Sequence, residues 1–153
     1  MNERIAIVIL CIPLVACAGN LGLGLIIGSP TGFSGKYLMS RSSAIEVNAG
    51  WSFLSNPGVH VTGDYQHLFG GVVRDEYGNP LETVIPYLGI GGRFRIRDNA
   101  NNGTDFYIGV RMGGGIEYLL GKIGLFLELY PVVNIIPETD FDFEGGLGGR
   151  YYF

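Results

Sequence analysis

The sequence predicts an all-β fold, an eight-stranded antiparallel up-and-down transmembrane β-barrel. Apolar and polar residues alternate along nearly the whole chain after residue 18, which is the pattern of strands with two different faces. Clusters of Gly, Pro, Asn, Asp and Ser divide this alternation into about eight segments. Most segments reach the roughly 9 to 11 residues that a tilted strand needs to cross a bilayer.

The composition favours strands over membrane-spanning helices. Of the 153 residues, 47% are hydrophobic, 16% are charged and 26 are glycine, and this glycine content is far above normal usage. After the N-terminus, no apolar run approaches the roughly 20 residues of a membrane helix. The formal net charge of -4 gives no basic patch, so we expect no nucleic acid as a partner.

The first 18 residues predict a secretory signal peptide. A short polar start carries Arg4, an apolar run follows from Ile5 to Val15, and small residues surround the expected cleavage point. The predicted domains are therefore a signal peptide over 1–18 and a barrel over 19–153.

The cleavage point has two interpretations. Ala16 and Ala18 form an A-x-A site that releases Gly19, whereas the "LVAC" lipobox would leave Cys17 as a lipidated N-terminus. Simple cleavage is preferred, because strand-like alternation begins by Leu21. A lipid attached to Cys17 would then have almost no linker between it and the first strand. Both cysteines of the chain lie in this segment, so the barrel has no disulfide and no Cys-ligated metal.

Alternation and turn residues together define the predicted strands. Their approximate spans are Asn20–Gly28, Gly32–Ser40, Ala44–Leu54, Val59–Leu68, Val84–Arg97, Asp105–Leu120, Ile123–Ile136 and Phe141–Phe153.

The second, third and fourth predicted strands each show two different faces. The second is the shortest, and in it Lys36 opposes Phe33 and Tyr37. In the third strand, Ile45, Val47, Ala49, Trp51 and Phe53 oppose Glu46, Asn48, Gly50 and Ser52. In the fourth strand, His60, Thr62, Asp64 and Gln66 share the polar face.

The last four predicted strands repeat this pattern. In the fifth, Leu88, Ile90, Phe94 and Ile96 oppose Tyr87, Gly89, Gly91, Arg93, Arg95 and Arg97. In the sixth, Phe106, Ile108, Val110, Met112, Ile116 and Tyr118 oppose Tyr107, Gly109, Arg111, Gly113, Gly115 and Glu117. In the seventh, Ile123, Leu125, Leu127, Leu129 and Val133 oppose Gly124, Phe126, Glu128, Tyr130 and Asn134. In the eighth, Leu147, Tyr151 and Phe153 oppose Arg150 and Tyr152.

The polar faces carry charges that a membrane barrel would turn inward. An eight-stranded barrel is just wide enough for side chains to fill it, so we expect these charges to pair and the lumen to be plugged. Five cations and six anions form this predicted lumen network: Lys36, Glu46, Asp64, Arg93, Arg95, Arg111, Glu117, Glu128, Asp142, Glu144 and Arg150. Inward glycines would make room for the long Arg and Tyr side chains.

Aromatic residues on the apolar faces concentrate near the strand ends, which predicts the two girdles of a transmembrane barrel. With a periplasmic N-terminus, the periplasmic girdle comprises Tyr37, Tyr65, Tyr118, Tyr151 and Phe153. The outer girdle comprises Phe33, Trp51, Phe53, Phe106, Phe141 and Phe143.

The C-terminal run "EGGLGGRYYF" resembles the signal by which bacterial outer-membrane barrels are recognised for insertion, with Tyr151 and Phe153 as its aromatic residues. Longer segments, including "AIEVNAGWSF", "PYLGIGGRFRI" and "GVRMGGGIEYLL", resemble the small OmpA/OmpX-like eight-stranded outer-membrane proteins, a bacterial family of uncharacterised function. The similarity spans nearly all of residues 19–153. It implies fold and location, and it transfers no catalytic residue.

These observations predict an integral, monomeric protein of the bacterial outer membrane, with a closed, salt-bridged lumen and a structural or surface-interaction role. Expected partners are outer-membrane lipids, the barrel-assembly machinery during insertion and an unidentified surface ligand. A narrow or gated, porin-like pore is the main alternative. A lipid-A-modifying enzyme and a soluble lipocalin-like binder are the others.

No enzyme activity, cofactor or metal is expected. His60 shares the inward face of its strand, and no serine lies two residues from either histidine, as a lipid-facing catalytic pair would require. His, Asp and Glu show no tight ligand spacing. One departure from the family pattern is the connection from Gly70 to Thr83, which strand parity places on the periplasmic side, where turns are usually short. It is either a real excursion or a sign that the strand count is wrong by one.

Overall fold

The computed structural model describes residues 19–52, 58–99, 101 and 103–153, and these residues form a closed barrel of eight antiparallel strands. The strands are β1 (Leu21–Gly28), β2 (Gly32–Leu38), β3 (Ser43–Ser52), β4 (Gly58–Leu68), β5 (Val84–Asn99), β6 (Gly103–Leu120), β7 (Ile123–Ile136) and β8 (Asp140–Tyr152). Each strand pairs with its neighbours in sequence, and β1 closes the barrel against β8. The predicted fold class and strand count are confirmed.

The N-terminal predictions concern residues that the structure does not describe. The signal peptide over 1–18 and the alternatives at Cys17 lie outside the described residues. Within the described residues there is no helix long and apolar enough to cross a membrane.

The strand bounds differ from the predicted ones mainly at the β5–β6 hairpin. Each of these strands is two residues longer toward the shared turn, so β5 ends at Asn99 and β6 begins at Gly103. Side chains explain the difference, because Thr104 donates a hydrogen bond to Asp98 (2.9 Å) and Asn99 donates one to Asp105. Asp98, Asn99 and Thr104 lie outside the predicted strands, whereas Asp105 begins the predicted sixth strand.

The two faces of the sheet have opposite chemistry. Large apolar side chains point out of the barrel, such as Leu25 at 59% exposed and Ile27 at 73%. Charged side chains point into it, such as Lys36 and Arg111 at 1% each. This arrangement is the reverse of a lipocalin, in which the apolar faces would line the interior.

The strands differ greatly in length around the barrel. β1 and β2 have 8 and 7 residues, whereas β6 has 18. The ladder between β6 and β7 begins at Ile108, beside a register shift, so residues 103–107 of β6 pair with β5 on one side only. The β5–β6 hairpin therefore protrudes from the end of the barrel opposite the two termini, which we call the hairpin end.

Both termini lie at the other end of the barrel, which we call the terminal end. The connection from Phe69 to Thr83 also lies there, and since the strand count is eight, it is a real excursion. It folds as a small hairpin in which Arg74 bridges to Pro80. Asp75 Oδ1 accepts backbone hydrogen bonds from Tyr77 and Asn79 at 2.9 and 2.8 Å.

Candidate functional site in the barrel lumen

Alternation along β2 to β8 directs charged side chains into the narrow lumen. Each of the eleven predicted lumen charges makes at least one ion pair there. Nine are buried, namely Lys36, Glu46, Asp64, Arg93, Arg111, Glu117, Glu128, Glu144 and Arg150. The other two lie toward the hairpin end, where the side chains of Arg95 and Asp142 are 19% and 41% exposed.

Arg111 lies at the centre of the network. Its Nε and Nη2 donate to the two oxygens of Asp64, at 2.8 and 2.7 Å, which is a bidentate pair. Its Nη1 donates to Glu144 Oε2 at 2.8 Å, and Glu128 Oε1 lies 3.8 Å from Nη2. One guanidinium on β6 therefore contacts carboxylates from β4, β7 and β8.

Glu144 connects this centre to the hairpin end of the lumen. Its Oε1 contacts Arg93 Nη1 at 2.5 Å, His60 Nε2 at 2.8 Å and Arg95 Nη2 at 3.4 Å. Asp142 also contacts Arg93 Nη1, at 2.9 Å. The only partly exposed members of this cluster are those nearest the hairpin end.

A second cluster fills the lumen toward the terminal end. Arg150 Nη2 lies 2.5 Å from Glu46 Oε2 and its Nη1 lies 3.6 Å from Glu117 Oε1. Glu117 also pairs with Lys36 at 2.8 Å and accepts a hydrogen bond from Tyr152 Oη at 2.7 Å. Glu117 thus bridges a cation from β2 and a cation from β8.

Aromatic rings inside the barrel lie against the buried cations. Lys36 Nζ is 4.4 Å from the ring centroid of Tyr87, Arg111 Cζ is 4.1 Å from that of Tyr130, and Arg150 Cζ is 3.6 Å from that of Phe126. Strand parity placed these rings inward, but it did not predict the stacking. Which ring lies under which cation depends on the register of several strands.

Inward glycines provide the space for these rings. A Cβ at Gly115 would lie 2.6 Å from Tyr87 Oη, and one at Gly148 would lie 2.6 Å from Phe126 Cε1. Both distances are shorter than the contacts that Cβ atoms make in proteins, so a larger residue at either position would displace the ring. The lumen is thus packed with large side chains opposite glycine backbone.

An apolar layer lies beyond the charges at the terminal end, and the sequence-based prediction placed Tyr87, but not Ala44 or Leu68, on an inward face. Ala44, Leu68 and Tyr87 form a buried cluster, with Leu38 and Ile85 packed against it. These residues sit at the ends of their strands. The alternation of the strands already directs Ala44 and Leu68 inward, but a single apolar residue at a strand end does not by itself indicate a buried layer.

The predicted girdle residues lie on the outside of the barrel, apart from Phe53, which is outside the described residues. The exposed ones are Phe33, Tyr37, Trp51, Tyr65, Phe106, Tyr118, Phe141, Phe143, Tyr151 and Phe153. Neighbouring rings pack in pairs: Phe33 with Trp51 at 5.4 Å, Phe141 with Phe143 at 5.0 Å, and Tyr151 with Phe153 at 5.1 Å between centroids. Phe94, not assigned to a girdle from the sequence, lies 6.4 Å from Phe106.

The inward side chains of the described residues form ion pairs and hydrogen bonds with one another. His60 is directed at Glu144 inside the barrel, away from the outer surface. Among the described residues, no group of three or more His, Cys, Asp or Glu is placed to hold a metal ion. What the arrangement can do is cross-link the inner faces of the strands.

Comparisons with known proteins bear on the fold. No protein-family model matches the chain. No curated protein matches it either. Among solved structures, it is similar to the crystal structure of the N-terminal β-barrel domain of Pseudomonas aeruginosa OprF, with a TM-score of 0.69 and 16% identity over 89% of this chain and 98% of that one. At that identity the likeness concerns architecture alone, and it confirms the fold, a closed antiparallel barrel of eight strands.

Proposed function

We propose that this protein is an integral, monomeric β-barrel of the bacterial outer membrane, with a closed, salt-bridged lumen and a structural or surface-interaction role. The observation that supports the proposal is the distribution of side chains, which is the reverse of that in a soluble barrel. Large apolar side chains cover its outside, while ion pairs fill its inside. Such a surface is stable in lipid, where all backbone polar groups are satisfied by barrel closure.

Processing of residues 1–18 and insertion by the barrel-assembly machinery through Tyr151 and Phe153 belong to this proposal. In it the terminal end faces the periplasm and the hairpin end faces outward. The surface role rests on the protruding β5–β6 hairpin, where residues 103–107 have one unpaired strand edge within the described residues. A surface ligand would meet this edge first.

The test of location is gel mobility of the protein from outer-membrane fractions, with and without boiling in detergent. A closed barrel stays compact until it is heated, so we expect a heat-dependent shift. Recovery in the soluble periplasm without a shift would contradict the proposal.

The test of the closed lumen is planar-bilayer conductance of the purified protein. Two ionic clusters and the apolar layer should leave no continuous water path, so we expect no steady open events. Steady openings would instead support the gated pore. For the enzyme alternative, His60→Ala should leave lipid A acylation unaltered.

A further inference from the structure

We propose that the outer surface of β1–β3 binds one anionic glycerophospholipid of the periplasmic leaflet, with its phosphate at the β2–β3 turn and an acyl chain in a groove at Gly35. This inference rests on the proposed membrane location. Two separate features of the surface carry it, one for each part of the lipid.

The first feature is an apolar groove on the outside of the barrel, which we call the lipid groove. It has a volume of about 610 Å³, and eight residues line it. The side chains that shape it are Leu23, Leu25, Phe33, Val47 and Ala49, with Gly35 as a gap between Phe33 and Tyr37 along β2. Its walls are apolar and face the bilayer, so its occupant must be apolar.

The fold does not require glycine at position 35. A Cβ there would lie 3.5 Å from Leu23 Cδ2 and 3.8 Å from Val47 O, which are ordinary contacts. The φ angle of Gly35 is not positive, so the backbone there does not require glycine either. Glycine at this position therefore leaves a gap in the apolar face that a lipid chain can fill.

The second feature is a polar cluster at the end of the same strands, which we call the headgroup cluster: Ser40, Arg41, Ser42, Ser43 and His67. Ser43 and His67 are direct cross-strand partners. His67 lies two residues from the girdle residue Tyr65 on the same face of β4, closer to the terminal end. Ser40 Oγ lies 2.7 Å from Ser43 Oγ and accepts the backbone N–H of Ser42 at 3.2 Å. Several hydroxyl donors therefore lie beyond the girdle.

Charge favours an anionic headgroup at this cluster. Arg41 is exposed and makes no ion pair with any described residue. The other short turn at the terminal end carries a cation as well, Lys122. Interfacial Arg and Lys residues attract anionic lipids.

The distances suit a single lipid. Gly35 lies four residues from Met39 at the turn, which is roughly 13 Å along a strand. One leaflet contributes about 15 Å of hydrocarbon, half of the core thickness. A chain anchored at Arg41 can therefore reach the lipid groove.

A second copy of this chain fits the groove less well. Stable protein interfaces use about 20 to 30 residues on each side, whereas eight residues line the groove. A lipid chain needs no more surface than the groove provides.

The experiment is native mass spectrometry of the folded barrel, purified from membranes in mild detergent and titrated with phosphatidylglycerol or phosphatidylcholine of equal chain length. Arg41→Gln tests the headgroup cluster, and Lys122→Gln removes a matched charge from the same end. Gly35→Leu fills the groove. Gly92→Leu is its matched control, since Gly92 faces outward on β5 and a Cβ there would meet only Gly109 O, at 3.6 Å.

We expect the barrel to bind one phosphatidylglycerol molecule tightly and to bind phosphatidylcholine more weakly. Arg41→Gln should weaken phosphatidylglycerol binding about fivefold and leave phosphatidylcholine binding unchanged. Gly35→Leu should weaken both lipids several-fold, and Gly35→Ala should do so to a smaller extent if the leucine variant does not fold. Both controls should bind like the unmodified protein.

Three results would overturn the inference: equal losses in Arg41→Gln and Lys122→Gln, unchanged binding in folded Gly35→Leu, or displacement of the lipid by inorganic phosphate. A dimer that Gly35→Leu dissociates would assign the groove to a second copy. Heat-dependent gel mobility is measured on every sample. Its absence in the unmodified protein would refute the proposed barrel location, whereas a normal shift with unaltered lipid binding would refute only the lipid site.

Discussion

Arg111 and Glu144 face each other across the lumen, with Nη1 of the arginine 2.8 Å from Oε2 of the glutamate. The other oxygen of Glu144 contacts Arg93 at 2.5 Å. This carboxylate therefore bridges two buried guanidinium groups from β5 and β6. Loss of its charge would leave both without their common partner.

Glu144→Gln should destabilise the barrel strongly. The side chain of Glu144 is fully buried, and breaking a buried ion pair by removing one partner costs about 3–5 kcal/mol. The free energy of unfolding in urea, measured in lipid vesicles, checks this. Asp142→Asn is the matched control, because Asp142 contacts the same atom of Arg93 but its side chain is 41% exposed. Its loss should cost about 1 kcal/mol or less, and equal costs would refute the bridging role of Glu144.

Gly148→Ala should destabilise the barrel by about 1–3 kcal/mol, because overpacking forces side chains from their preferred positions. The new methyl group would meet the ring of Phe126. Gly63→Ala adds the same group on the outward face of β4, where nothing lies within 4 Å of the new Cβ. That control should be neutral or stabilising by about 0.4–1 kcal/mol. The prediction fails if both variants have the same unfolding free energy.

Trp51 reports the orientation of the apolar face. It is the single tryptophan of the chain and is 46% exposed on the outside, beside Phe33. In vesicles, its fluorescence should be quenched by lipids brominated on the acyl chain and protected from aqueous iodide. Quenching by iodide with no effect of bromine would mean that this face is in water.

Asp75 should titrate below the ordinary Asp value of about 3.9. The backbone N–H of Asn79, at 2.8 Å from Oδ1, is the main cause that lowers the pKa of Asp75, and Tyr77 adds a second N–H. A lowered folded-state pKa stabilises the turn above the unfolded-state pKa, and this contribution is lost as pH falls through the folded-state pKa. Solution NMR of the side-chain carboxyl would measure the midpoint.

Asp75→Ala should accelerate amide hydrogen exchange at Tyr77 and Asn79 near neutral pH, because both amides lose their acceptor. Asp75→Asn keeps an acceptor oxygen and should have a smaller effect. An Asp75 midpoint at or above about 3.9, or unchanged exchange in the alanine variant, would show that the turn does not depend on this carboxylate.

The sequence was sufficient for the strands and for the direction of most side chains, because parity along a strand is a local property. It placed Arg111 and Glu144 on inward faces and Leu127 on an outward one without any knowledge of pairing. Strand ends were less certain. The extension of β5 to Asn99 depends on side-chain bonds to β6 that alternation does not encode.

Tertiary structure alone decided which inward groups meet. Asp64 and Arg111 are 47 residues apart, and their bidentate contact depends on the registers of β4, β5 and β6 and on closure of the barrel. The same holds outside the barrel, where Ser43 meets His67 and the groove at Gly35 forms only when β1, β2 and β3 are in register. Local alternation is read from one strand, whereas a site needs distances between strands, and those exist only after folding.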